Sequence, residues 1–396
     1  MMAAITAAQS GRSVMLIEKL DRVGAKLKAT GGGRCNLTNT LENTEFALRF
    51  GKNGRFVLDA LNVFDSKQLI SFFSSIGVET HSPDGFRIFP VSHDSTSVVS
   101  AMQNRLCALG VEVRYQTRVD GLLVGDGTIS GVSAAGETYK ATNVIVALGG
   151  KGYPMLGTEG DGFLIAGSVG HKVNTPYPAM LPLKTKEGWV ASCTADTIPK
   201  AKIRIDLPKY KKLFAVGDLI FTKNGIRGPV VLDFAKEITP LLDDMDEVPL
   251  IANISKAKNI EEARVAVSSK NAKTHGGSVA EALSAVLPLS VATAISSFYG
   301  VDPNGRYSAL GGSDRDMLLS RCVDTPLTVI GHDGFKNAMI TKGGVSLKEI
   351  CPKTMRSKLV NGLYFCGEVV DIDGPCGGYN LQWAFSSGYV AGLLQP

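Results

Sequence analysis

The amino-acid sequence predicts an α/β protein in which a doubly wound sheet is interrupted by a β-rich insert and a helical insert. The first observation is an alternation of helix-type and strand-type segments over residues 2–148, which is the pattern of a sheet with helices on its faces. The second is a set of glycine runs at 31–33, 149–150 and 377–378, each beside a predicted element end. The third is a change of pattern near residue 184, after which short strands and then helices dominate.

Composition restricts the class of protein. The 396 residues, 44% hydrophobic and 20% charged, suffice for two or three globular domains. The net charge is only +5 and the lysines are scattered, so we expect no nucleic-acid partner. No apolar run approaches the roughly 20 residues of a membrane span and no signal peptide is recognisable, so we expect a cytoplasmic protein without membrane contact.

The seven cysteines lack C-x-x-C spacing and indicate free thiols, with a redox dithiol of Cys366 and Cys376 as the alternative.

The N-terminal part begins with a helix at residues 2–10 and a buried strand at 13–18. Apolar residues at helical spacing then predict helical structure over 58–77 and a helix over 94–110. The stretch 81–92 between them predicts a hairpin or an extended loop. Several short strands follow and end at a Gly-Gly turn, which completes the α/β pattern.

The middle of the chain leaves this α/β domain and the C-terminal part rejoins it, since no tandem repeat or low-complexity linker separates them. We therefore expect three domains. They are a discontinuous α/β domain of residues 1–183 and 342–396, a β-rich domain of 184–254 and 324–341, and a helical domain of 255–323.

Glu18 ends the first predicted strand. An acid at the end of the second strand of a dinucleotide-binding βαβ unit accepts hydrogen bonds from ribose hydroxyls and follows a glycine fingerprint by about 20 residues. Counting back from Glu18 places that fingerprint before Met1. A solvated glutamate at a strand end is the simpler alternative for this residue alone.

The stretch ATGGGRCNLTN at 29–39 is more specific. Three consecutive glycines expose backbone N–H groups that can lie against a pyrophosphate or a flat ring. Arg34 adds a positive charge and Asn36 an amide. A flexible surface loop is the alternative, but such loops are usually rich in Ser and Lys, so we favour a cofactor-binding turn.

The C-terminal motif predicts the most about chemistry. GLYFCGE ends a strand at Gly367 and Glu368, and IDGPCGGYN leads directly into an apolar helix. A helix N-terminus carries unpaired N–H groups and the positive end of the helix dipole. It would stabilise the negative charge of a reduced flavin at its N1 and C2 carbonyl edge without a side-chain acid. Tyr379, Asn380 and Gln382 are expected around that edge.

These motifs together resemble the BaiN/aminoacetone oxidase-like family of bacterial FAD-dependent oxidoreductases. The resemblance runs nearly end to end, through MAAITAA, TGGGRCNLTN, LIFTKNGIRGP and GLYFCGEVVDIDGPCGGYNLQWAFSSGYVAG. It implies a doubly wound FAD-binding domain of the two-dinucleotide-binding type with a β-barrel-like insert and a helical insert. It also implies FAD as cofactor, NAD(P)H as candidate electron donor and a small-molecule substrate, and it leaves the oligomeric state open.

The resemblance carries over to individual positions. It implies that Glu18 and Lys19 contact the adenosine ribose and that Val119 contacts adenine through its backbone. It places along the pyrophosphate and flavin the residues Gly32, Gly33, Arg34, Cys35 and Asn36, and beside the nucleotide Ala147, Gly149 and Gly150. It places at the ribitol and isoalloxazine the residues Gly367, Glu368, Gly378, Tyr379, Asn380 and Leu381. No catalytic acid or base and no metal ligand is identified.

One segment of the family pattern is absent. Relatives carry a strand and G-G-G-x-A-G before the first helix, and this sequence has neither. That strand is central in the doubly wound order, so its absence would leave two neighbouring strands unpaired. We therefore expect a start codon assigned too far downstream rather than a shortened protein.

Several functions remain open at this level. Hydride transfer between FAD N5 and a small organic substrate would make the protein either a reductase of steroid-like enones or an amine oxidase. The competing classes are a flavin-free binding or regulatory protein of the same fold and a non-functional fragment.

Overall fold

The structure is a computed structural model that describes residues 1–395. It divides into two compact units. The larger unit consists of Met1–Pro178 and the chain from Ala338 onward, and the smaller unit consists of Ala179–Asn337. The larger unit is therefore built from two separate stretches of sequence.

The first stretch of the larger unit alternates helices and strands, which confirms the predicted α/β class. Its helices are α1 (Met2–Gln9), α2 (Ala25–Ala29), α3 (Asn43–Leu48), α4 (Gly54–Val63), α5 (Ser66–Ser75), α6 (Ser95–Ala108) and α7 (Asp161–Ser168). Its strands are β1 (Met15–Ile17), β2 (Thr38–Asn39), β3 (Thr80–His81), β4 (Arg87–Pro90), β5 (Glu112–Arg114), β6 (Val119–Gly125), β7 (Thr128–Ala134), β8 (Glu137–Lys140), β9 (Val144–Val146) and β10 (Val173–Ala179).

The smaller unit is a closed antiparallel barrel with helices, which confirms the predicted barrel-like and helical inserts. Its strands are β11 (Leu183–Thr185), β12 (Thr197–Ile205), β13 (Phe214–Thr222), β14 (Gly225–Arg227), β15 (Val248–Asn253) and β16 (Thr325–His332), closed in the order β11-β14-β13-β12-β15-β16. Its helices are α8 (Trp189–Ser192), α9 (Pro229–Ile238), α10 (Ile260–Lys273), α11 (Val279–Leu283), α12 (Leu289–Phe298) and α13 (Gly312–Val323).

Helix α9 differs from the expectation of little helix in the β-rich stretch. Pro229 occupies its first turn, where a missing N–H has no cost. Val230, Phe234 and Ile238 are buried along it and recur at the helical spacing of four. The short apolar run therefore forms a helix that covers the barrel rather than a strand within it.

The returning stretch adds β17 (Ile340–Val345), β18 (Leu363–Phe365) and α14 (Tyr379–Gly392). The doubly wound sheet is present as two parallel strand pairs. Strand β1 pairs with β5, and β18 pairs with β9. In the described chain no strand is hydrogen-bonded to both pairs.

Capping residues decide where the helices begin. Asp65 caps α5: its carboxylate accepts a hydrogen bond from Gln68 N at 2.8 Å, and Gln68 Oε1 accepts one from Asp65 N at 2.7 Å. Such a capping box stabilises a helix start by about 1 kcal/mol. The helical stretch predicted over 58–77 is consequently two helices. Asp94 begins α6 by accepting from Thr96 N at 2.8 Å.

Helices α1 and α14 pack at very short distance through small residues. A Cβ atom on Gly392 would lie 2.5 Å from the carbonyl oxygen of Ala3, and one on Gly388 would lie 3.4 Å from Met2 Cβ. Larger residues at these positions would separate the helices. This contact brings the first helix and the last helix of the chain to the same cavity.

Candidate functional site

The larger unit contains a cavity of 1870 Å³. It is lined by Met15–Ile17 of β1 and by Val144–Val146 of β9, so it lies where the two strand pairs face each other. Helices α1 and α14 contribute further walls, for example at Ala3 and Leu381. Pockets for drug-sized ligands are about 300–1,000 Å³. This cavity is therefore large enough for a dinucleotide.

Glu18 presents a free acceptor to this cavity. It follows β1 directly, and its backbone N–H donates to Arg114 O at 2.8 Å, which extends the β1–β5 pairing by one residue. Its Oε1 accepts from Leu20 N at 3.0 Å. The other carboxylate oxygen has no hydrogen-bond partner within residues 1–395, and Glu18 lines the cavity. That oxygen can accept a hydrogen bond from a sugar hydroxyl.

An ion-pair network surrounds the neighbouring Lys19. Its Nζ lies 2.6 Å from Glu159 Oε2 and 2.7 Å from Asp161 Oδ2, and Arg118 Nη2 lies 2.6 Å from Asp161 Oδ1. Burial alone would lower the pKa of Lys19, but its hydrogen bonds to Asp161 and Glu159 outweigh burial and raise that pKa. Burial would raise the pKa of Asp161, and the two cations hold it below its usual value instead. The network fixes the chain just after Glu18.

Glu368, in another wall of the cavity, connects its own segment to those of Lys26 and Thr341. Its Oε2 lies 2.5 Å from Lys26 Nζ, and its Oε1 accepts from Thr341 N at 2.8 Å. Gly150 lies against this cluster: a Cβ atom there would overlap Thr341 Oγ1 and lie 2.7 Å from Glu368 Oε1. Gly150 is therefore required by packing, while Lys26 and Glu368 themselves line the cavity.

The loop before α14 is held by a residue of the helix itself. Asn380 Oδ1 accepts from Gly374 N at 2.8 Å, and its Nδ2 donates to Gly374 O at 2.9 Å. Gly378 precedes the helix with φ +88°, and a Cβ there would lie 2.5 Å from the Thr38 backbone. The N-terminus of α14 therefore lies directly against β2. Gly367 has φ +73°, with no atom closer than 4.0 Å to the position of a Cβ, so the cavity is open at this residue.

The glycine turn is tied to the same helix start. With its amide oriented by the hydrogen-bond network, Asn36 accepts from Gly378 N at 3.0 Å and donates to Thr38 O at 3.0 Å. Gly32 and Gly33 have φ values of +66° and +86°, and no atom lies within 4 Å of a Cβ at either position. The turn therefore presents open backbone at these two residues.

More than half of the predicted site residues line the cavity: Glu18, Lys19, Val119, Ala147, Gly149, Gly367, Glu368, Asn380 and Leu381. The others lie outside its lining: Gly32, Gly33, Arg34, Cys35, Asn36, Gly150, Gly378 and Tyr379. Tyr379 is buried against Phe46, with ring centroids 4.6 Å apart. Arg34 lies over the Phe89 ring at 5.5 Å.

Sequence reasoning missed Lys26 and Thr341. Lys26 stands in no motif, and its partner Glu368 is 342 positions away. Thr341 contributes its backbone N–H to Glu368 and its Oγ1 to Lys151 N at 2.8 Å. No sequence signal marks these residues, because their roles follow from chain segments that meet only in the fold.

The cysteines and acidic groups indicate neither a redox pair nor a metal site. Cys366 and Cys376 form no disulfide, and burial raises the pKa of Cys366 to about 12. Burial likewise raises the pKa of Cys35 to about 11. In residues 1–395 no group of three His, Cys, Asp or Glu side chains could hold a metal ion, and no helix of that range could cross a bilayer.

The donors of the cavity fit a flavin dinucleotide. A free carboxylate oxygen at Glu18 suits a ribose, open backbone at Gly367 suits close approach of a nucleotide, and the α14 N-terminus suits a group that gains negative charge. A Rossmann-type fold with such a cavity defines an FAD-dependent oxidoreductase. The chain belongs to the HI0933-like protein Rossmann domain family, whose profile matches residues 1–394.

Curated relatives cover nearly the whole chain. It is 32% identical over 393 residues to the 3-dehydro-bile acid delta(4,6)-reductase of Clostridium scindens, which spans 98% of this chain and 95% of that protein. It is 28% identical over 391 residues to the ribosomal RNA dihydrouridine synthase of Haemophilus influenzae, over 98% of this chain and 93% of that protein.

A solved structure shares the fold. The 3-ketosteroid delta1-dehydrogenase of Sterolibacterium denitrificans has a TM-score of 0.53 at 12% identity, over 99% of this chain and 96% of that one. Identity this low is evidence of shared architecture alone.

Proposed function

We propose that this protein reduces a carbon–carbon double bond conjugated with a carbonyl group, with FAD as the hydride carrier and NAD(P)H as the electron donor. The names of two relatives support this reaction type. A 3-dehydro-bile acid with delta(4,6) unsaturation has two carbon–carbon double bonds conjugated with a ketone. Conversion of uridine to dihydrouridine saturates one double bond next to a ring carbonyl. A double bond conjugated with a carbonyl group is electrophilic, so in either case it can accept hydride from a reduced flavin.

The cavity is the observation that carries the proposal, because Glu18 and the first turn of α14 both line it. Glu18 would bind the ribose through its free oxygen, and the backbone of Val119 would contact the adenine. Ala147 and Gly149 would lie beside the nucleotide. These residues place the cofactor by hydrogen bonds and close backbone contact, and none of them needs to gain or lose a proton.

The flavin end would be formed by Gly367, Asn380 and Leu381. Reduced FAD, when bound, supplies hydride from N5. Asn380 keeps the GPCGG loop in place through Gly374, so the N–H groups at the start of α14 remain aimed at one position. Preorganised donors of this kind stabilise developing negative charge without reorganisation during the reaction.

Purified protein tests the proposal directly. Flavin absorbance and release of FAD on denaturation are expected. Under anaerobic conditions, NADH or NADPH should bleach the flavin, and a 3-oxo-4-ene steroid should restore its colour with a product two mass units heavier. Glu18→Gln is expected to weaken FAD binding, because an amide presents one acceptor where the carboxylate presents two. The matched control is Glu45→Gln, which removes the same charge at an exposed position outside the cavity lining.

The outcomes separate the competing functions. A folded, colourless protein that does not take up added FAD would identify a flavin-free binding protein. Flavin that is reduced by a small primary amine and reoxidised by oxygen would identify an amine oxidase. Turnover of uridine in RNA, but not of the steroid, would support the proposed reaction type and identify RNA as the substrate class.

A further inference from the structure

The β12–β13 hairpin of the smaller unit carries a strongly basic surface. Residues 200–212 contain six basic residues and one acidic residue, although the charge of the whole chain is only +5. The basic residues are Lys200, Lys202, Arg204, Lys209, Lys211 and Lys212. We call this set and the strand residues beside it the hairpin surface.

Strand register places part of these charges on one outer face. Ala201, Ile203 and Ile205 are fully buried, so the alternate residues Lys202 and Arg204 point away from the barrel interior. Successive side chains on one face of a strand are about 6.7 Å apart. Lys202 and Arg204 therefore lie side by side on the outer face. Lys200 lies at a bulge of β12, with φ +54°, and it and the turn residues extend the row less regularly.

Apolar side chains lie beside the row on β13. Val216 is the register partner of Lys202 and Phe214 that of Arg204, with 57% and 53% of their surface exposed. Lys202 Nζ lies 4.3 Å from the Phe214 ring centroid. Phe214 and Val216 therefore form an exposed apolar pair directly beside the basic residues.

The lysines of the hairpin surface are not neutralised by the protein. Arg204 pairs with Asp206 at 2.7 Å. Within the described chain, none of the five lysines has a carboxylate at ion-pair distance. A polyanion could therefore contact these lysines without displacing an internal salt bridge; only the Arg204–Asp206 pair would compete with it.

We propose that the hairpin surface binds single-stranded RNA. The cluster of cations matches a phosphate backbone, and Phe214 offers a ring on which a base can stack once Lys202 turns toward a phosphate. A membrane-binding loop would carry its most exposed apolar residues at the turn. Here the turn residues 208–212 are Pro, Lys, Tyr, Lys and Lys, Leu213 beside them is 37% exposed, and the more exposed Phe214 and Val216 lie on the strand. The inference does not depend on the reaction proposed above.

Fluorescence anisotropy with a labelled 20-nucleotide single-stranded RNA of mixed sequence tests the proposal. The protein is used as the full chain with its flavin, between 50 and 200 mM salt. For the triple variant Lys209→Gln, Lys211→Gln and Lys212→Gln, the slope of log affinity against log salt should decrease in magnitude by about 2, since each phosphate contact on a single strand contributes about 0.7. Phe214→Thr should weaken binding by roughly tenfold through loss of stacking.

A matched triple variant controls for charge alone. Lys223→Gln, Lys258→Gln and Lys273→Gln remove three exposed lysines from the same unit and should leave RNA affinity within about twofold. Circular dichroism and flavin content report folding for every variant. Absence of RNA binding at 50 mM salt, or an equal loss in the control, would overturn the proposal. So would binding to phosphatidylserine vesicles that the first triple variant abolishes while RNA affinity stays unchanged.

Discussion

Ser357 Oγ lies 2.9 Å from His171 Nε2 in the interior of the larger unit. The serine oxygen also accepts the backbone N–H groups of Leu359 and Val360 at 3.0 and 2.9 Å. With its lone pairs occupied, the hydroxyl donates its proton to Nε2, so the imidazole is neutral and carries its own proton on Nδ1. Nδ1 lies 3.3 Å from Glu349 Oε2. This buried contact ties the helix α7 end to the segment before β18.

The first prediction concerns acid stability. Burial lowers the pKa of His171, and nearby Glu349 only partly opposes this effect. Because the folded pKa lies below the unfolded value of 6.5, the stabilisation is complete above pH 6.5 and decreases as pH falls below it. The unfolding free energy should fall with a slope of up to about 1.4 kcal/mol per pH unit, and His171→Asn should remove this slope.

Tryptophan fluorescence can follow the larger unit alone. The chain has two tryptophans, Trp189 in the smaller unit and Trp383 in the larger one, so urea titrations in a Trp189→Phe background report the relevant unfolding. His275→Asn is the control, since His275 is exposed and should leave the slope unchanged. A slope that persists in His171→Asn would contradict the assignment.

The second prediction concerns the contact between Glu368 and Lys26. Glu368→Gln keeps one acceptor for Thr341 N but turns an amide donor toward the Lys26 ammonium. Loss of a charge-assisted, partly buried hydrogen bond should lower the unfolding free energy by about 1–2 kcal/mol. It should also weaken FAD binding, because Lys26 and Glu368 line the cavity. Urea titration and flavin titration measure the two effects.

Glu159→Gln is the reference for the Glu368 variant. Glu159 also forms an ion pair, to Lys19 at 2.6 Å, but its side chain is 51% exposed. An exposed pair contributes less than about 1 kcal/mol. Equal losses in the two variants would argue against a special role for the Glu368 contact.

The third prediction concerns the start of α14. Gly378→Ala should destabilise the larger unit by several kcal/mol and reduce flavin content, because the added Cβ would lie 2.5 Å from the Thr38 backbone. Gly11 has a similar φ of +77° but no atom within 4 Å of a Cβ. Gly11→Ala therefore isolates the backbone strain, which is about 1–2 kcal/mol. Similar thermal unfolding of both variants would show that the close approach to Thr38 is unimportant.

Helix bounds were predicted well where the local sequence contains one strong start or stop signal. The apolar spacing and the Gly110 stop predicted α6 over 94–110, and the helix spans Ser95–Ala108. The stretch 58–77 is two helices because Asp65 forms a capping box with Gln68, a local signal that apolar spacing conceals. Helix α9 was missed because a ten-residue stretch rich in apolar residues does not by itself distinguish a strand from a helix that covers a barrel.

Short stretches of sequence predicted the α/β class, the barrel-like and helical inserts and the glycine positions, because propensity, periodicity and turn chemistry act over a few neighbouring residues. Which of the predicted residues line one cavity depends on how distant segments pack. The contacts of Glu368 with Lys26 and Thr341 and of Asn36 with Gly378 join such segments, so their geometry follows from the tertiary structure. The basic residues of the hairpin surface are already clustered in the sequence at 200–212, and strand register decides only which of their side chains share the outer face.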